Sequence, residues 1–79
     1  MTGVELHRRR CEAAQVDLVR AMRILAAHWQ READAIESMG RAPAPGSLRA
    51  DMREVEHAVL AYDKARAALD AVEAMEASR

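Results

Sequence analysis

Apolar residues recur along this chain at spacings of three, four and seven, and the pattern is interrupted once. In the first half Val4, Cys11, Leu18, Leu25 and Met39 fall seven or fourteen apart, with Ala14, Ala21, Met22, Trp29, Ala35 and Ile36 filling the neighbouring positions. In the second half Leu48, Val55, Tyr62 and Leu69 repeat every seven, joined by Ala58, Ala65 and Val72. A helix turns once in 3.6 residues, so residues at these spacings share a face. The pattern predicts two long amphipathic helices.

The interruption is Gly40-Arg41-Ala42-Pro43-Ala44-Pro45-Gly46-Ser47. Each proline lacks an amide donor and pushes its predecessor out of the helical region, so the stretch reads as a loop over 40–47. Gly40 suits the left-handed position that closes a helix, and Ser47 suits an N-cap. At the other end Thr2 caps, with Glu5 three residues on as in a capping box. The first helix is thus expected over about 4–39 and the second over about 48–77. Joined by so short a loop they lie antiparallel, as a single all-α helical hairpin spanning 1–79 and about 45–50 Å long.

Two helices cannot cover each other completely when apolar residues lie outside the seam, as Val16, Val19, Ile24 and Leu60 do here. A homodimer of hairpins forming a four-helix bundle is therefore expected, with Leu18, Leu25, Trp29, Val55, Tyr62 and Leu69 as its self-association core. Glu32 interrupts the apolar series where a hydrophobic residue belongs.

Composition sharpens this reading. The chain has 79 residues and is 51% apolar, yet Phe is absent and Trp29 and Tyr62 are the only aromatics. Alanine supplies much of the rest; it favours helix but buries little area. A strong helix former with a thin core is a chain that gains from association. Twelve basic and thirteen acidic residues are interspersed, so no global field attracts nucleic acid or an anionic membrane. The single Cys11 fits a reducing compartment, and no signal-like or membrane-spanning run is visible. A soluble cytoplasmic protein is the expectation.

Candidate chemistry changes the picture little. Arg8-Arg9-Arg10 is the one charge run; beside Asp70, Glu73 and Glu76 at the open end of a hairpin it reads as a pairing device rather than a nucleic-acid contact. Cys11, one turn beyond His7, occupies a core position and reads as an inert thiol. The serines stand without a His–Asp constellation, and no glycine-rich phosphate loop exists. No enzyme and no cofactor are expected.

Glu54-Val55-Glu56-His57 is the exception, because Glu54 and His57 three apart on a helix point the same way. Over about ten residues the run, with Glu56-His57-Ala58, resembles the ferritin-like proteins and within them the encapsulated ferritins. Those are helical hairpins that complete a di-iron site across a dimer interface, and the resemblance implies a first-helix glutamate, for which Glu32 is the one position carried across. With the loop centred near Pro43, residue 54 faces residue 32, and His28 lies one turn away. Glu32, Glu54, His57 and His28 then form the alternative, metal-binding set. Against it, the heptad frame turns His57 toward solvent, and Glu32 also reads as an interfacial charge answered by an arginine.

The primary expectation is a protein–protein interaction module, such as a small regulator, adaptor, inhibitor or chaperone-like protein, that docks a partner through a helix face. Leu60, Lys64, Ala67, Ala71 and Ala74 lie three and four apart, away from the Val55–Tyr62–Leu69 seam. On this strip Leu60 is the apolar anchor, Ala67 and Ala71 allow close approach, and Arg53 and Lys64 stand at the rim. Five methionines add adaptable apolar surface or fill the core.

Overall fold

The computed structural model describes residues 2–40 and 45–79, with 45–47 described in backbone alone. Helix α1 runs Gly3–Met39 and helix α2 runs Pro45–Ala77. They pack against each other as an extended helical hairpin measuring 63 × 15 × 15 Å.

The ends follow from local chemistry. Thr2 has extended backbone, and its hydroxyl accepts the Glu5 amide at 3.2 Å, satisfying a donor that has no partner inside the helix. Gly40 closes α1 at φ 65°, a left-handed conformation that is easiest for glycine, and its amide donates to the Ile36 carbonyl at 2.9 Å. Helix α2 begins earlier than the proline pattern predicts. Pro45 is its first residue, where a missing N–H is harmless and the fixed φ is already helical. Ser47 consequently lies inside the first turn rather than at the N-cap. The centre of the predicted loop, 41–44, lies outside the described residues.

The seam between the helices is a strict heptad. From Val4 to Ala35 the less exposed positions of α1 step by three and four without a break, and those of α2 do so from Leu48 to Val72, with Ala68 beside Leu69. Leu18, Leu25, Val55 and Tyr62 are half-buried in it. Only Cys11 and Leu69, at 6% and 4% exposure, are buried among the described residues. Trp29, expected in this core, is instead 52% exposed. Met22, Ile36 and Met39, assigned to the same face, are also exposed. The reason is angular. Met22, Trp29 and Ile36 each follow a seam position (Ala21, His28, Ala35) by one residue, a rotation of ~100° that carries them onto the flank.

A hairpin this long and thin has more surface than its mass warrants. It exposes 6102 Å², whereas a compact protein of 8.8 kDa exposes ~4,800 Å² on the usual mass scaling, an excess of ~1,300 Å². Among the described residues twelve large apolar ones contribute to that excess. Among the described residues, no helix is long and apolar enough to cross a membrane.

Candidate interaction surfaces and the polar seam

Three polar residues occupy seam positions near the loop end, and they meet. His28 Nδ1 lies 2.6 Å from Asp51 Oδ2 across the helix pair, and His28 Nε2 lies 3.3 Å from Glu32 Oε1 one turn further along α1. Each imidazole nitrogen thus faces one carboxylate oxygen. The His28 side chain retains only 12% exposure. Part-buried polar contacts of this kind fix register, because any slide of one helix leaves a polar group facing apolar neighbours. Glu32 is therefore answered by a histidine of its own helix rather than by an arginine.

This contact also shows where the candidate metal set fails to assemble within one hairpin. Residues 28 and 51 sum to 79, whereas a loop centred on Pro43 requires facing residues to sum to 86. The helices are displaced by one heptad, ~10 Å, from the expected pairing. Glu54 is thereby carried beside Asp17, Arg20 and Ala21, and His57 beside Arg10, Ala14 and Asp17. Both are exposed, His57 facing outward as the heptad frame expects. Of the four candidate ligands the fold brings together His28 and Glu32 alone, and adds Asp51. Among the described residues no group of three or more His, Cys, Asp or Glu is placed to hold a metal ion. Asp51 was missed in the sequence, although a polar residue three beyond Leu48 in a strict heptad is the same signal that marked Glu32.

The open end is also arranged differently from expectation. Asp70 pairs with Arg66 at 3.2 Å and Glu76 with Arg79 at 3.9 Å, each on its own helix, and none of Arg8–Arg10 forms an ion pair with α2 among the described residues. Cys11 is a free, buried thiol of the seam, as its heptad position implies.

Outside the seam the surface divides by flank. On one side of the hairpin Arg10, Asp17, Glu54 and His57 line a shallow alanine-rich groove between the helices. The outer face of α1 carries a second open groove in which Val16, Val19, Ile24 and Ala27 are rimmed by Glu12, Arg20 and Arg23. On α2, Leu60 is 65% exposed, and Arg53, Lys64, Ala67 and Ala71 are exposed with it, so the strip expected to receive a partner is open in the single hairpin. The opposite flank holds Met22, Trp29 and Ile36, expected beside the core, together with Met52 and Val59. Comparison with family models, curated proteins and solved structures gave no match to this chain.

Proposed function

We propose that this chain is a non-enzymatic protein–protein interaction module that self-associates and presents helix faces to a protein partner. One observation carries the reading: among the described residues two are buried while twelve large apolar ones stay exposed. Burying apolar area is worth roughly 25 cal/mol per Å², so covering these residues drives association. Self-association uses the exposed flank of the hairpin, while Leu18, Leu25, Val55, Tyr62 and Leu69 serve the fold of each copy. The Leu60–Ala67–Ala71 strip with Arg53 and Lys64 at its rim is the partner face.

Helicity and melting temperature, followed by circular dichroism over a hundredfold range of protein concentration, test the proposal. Association linked to folding makes the melting temperature rise with concentration. A melting temperature independent of concentration, with full helicity at the lowest one, overturns it.

A further inference from the structure

Along the exposed flank of α1, Val19, Met22, Ala26, Trp29, Ala33 and Ile36 step by three, four, three, four and three. This is a second complete heptad stripe, and every one of its residues is exposed. We infer that the stripe is a homodimer interface in which a second copy of the hairpin lies antiparallel across it, with α1 on α1 and α2 on α2. The inference rests on the self-association proposed above and says which face does it.

Size complementarity within the stripe supports a second copy. Antiparallel heptads pack in layers that set one series against the other. About a twofold axis between residues 27 and 28, Val19 meets the partner's Ile36, Met22 meets the partner's Ala33, and Ala26 meets the partner's Trp29. Each larger side chain opposes a smaller one, as close packing requires.

Charge on α2 points to the same axis independently. The hairpin register, in which 28 faces 51, places this twofold between residues 51 and 52. Met52, which is exposed, then sits within about one residue of the axis, beside its own copy. Arg49 and Glu56 lie on either side of it, so Arg49 of each copy comes within ~3 Å of level with the partner's Glu56, an offset two long side chains span, in two symmetric opposite-charge contacts.

The extent of the face agrees. On the same flank the residues turn polar at one level in both helices: below Val19 they are Gln15, Glu12 and Arg8, and beyond Val59 they are Asp63, Arg66 and Asp70. The apolar part is confined to the loop-proximal halves, where the two copies overlap, and the open ends project into solvent. Val19, Met22, Trp29, Ile36, Met52 and Val59, half of the large apolar residues exposed among the described residues, lie on this one flank.

The test combines crosslinking with charge reversal. In a Cys11→Ser background, Met52→Cys should be joined to its copy by a thiol crosslinker of about 10 Å span, whereas Met75→Cys on the other flank should not. Arg49→Glu should raise the dimer Kd by about tenfold and Arg49→Glu with Glu56→Arg should restore it, since both copies then keep opposite charges in contact. A dimer that links through Met75→Cys instead, or that ignores the charge reversal, overturns this interface and leaves the interaction-module reading standing. A chain that is monomeric throughout overturns both.

Discussion

Leu69 and Leu60 are the same residue type on the same helix, with 4% and 65% exposure, so replacing each by alanine isolates the worth of the seam. Leucine to alanine removes three carbons at ~0.8 kcal/mol each, ~2.4 kcal/mol for a site as covered as Leu69. The seam is open on two sides and the helices can close on the gap, so the cavity contribution stays small and ~2–3 kcal/mol is expected, near the low end for such changes. About a third of Leu60 is covered, which gives ~0.8 kcal/mol at most. Alanine is at least as good a helix former as leucine, so neither variant weakens its helix locally. For a chain this short, 1 kcal/mol moves the melting temperature by roughly 4–8 °C, which separates a drop of ~10–20 °C for Leu69→Ala from one of ~5 °C for Leu60→Ala. Thermal and urea melts followed at one fixed concentration provide the comparison. Equal losses at the two sites would refute the assignment of Leu69 to the seam.

The His28–Asp51 contact should behave as a register device. Asp51→Ala alone should lose about 1.5–3 kcal/mol, while His28→Leu with Asp51→Leu should recover that loss or exceed the starting stability, as a double-mutant cycle would show. A double variant no more stable than the single one would contradict the role. Gly40→Ala should cost about 1 kcal/mol because of the left-handed backbone at φ 65°, with Gly40→Asn closer to neutral, both read from urea midpoints. Ferrous or zinc ion should leave the melting temperature unchanged, and His57→Ala should not alter that result. A metal-induced rise abolished by His57→Ala would reinstate the ferritin-like set through an assembly other than the single hairpin.

How much of this was legible in the sequence depended on whether one residue or a pairing decided it. The helices, the Thr2 and Gly40 ends and the seam of Leu18, Leu25, Val55, Tyr62 and Leu69 follow from local chemistry and heptad spacing, and the fold has them. The axial register did not follow, because it depends on where the helices settle against each other. An axial offset of one heptad between the helices was enough to put Asp51 beside His28 instead of Glu54 opposite Glu32. Trp29 lies outside the seam of the single hairpin for a different reason. Two apolar stripes lie side by side on α1, and periodicity at 3.6 residues merges neighbours one residue apart into a single broad face. Breaking them apart requires noticing that His7 and His28, rather than Met22 and Trp29, complete the strict three–four alternation with the alanines.

Sedimentation equilibrium of the unmodified chain over about 1–100 μM is the most direct test of whether the hairpin's uncovered apolar surface is an interface, because association must respond to mass action. The expected result is a mass of twice the 8.8 kDa chain that dissociates on dilution together with helicity. A stable, fully helical species of 8.8 kDa across the whole range would contradict it.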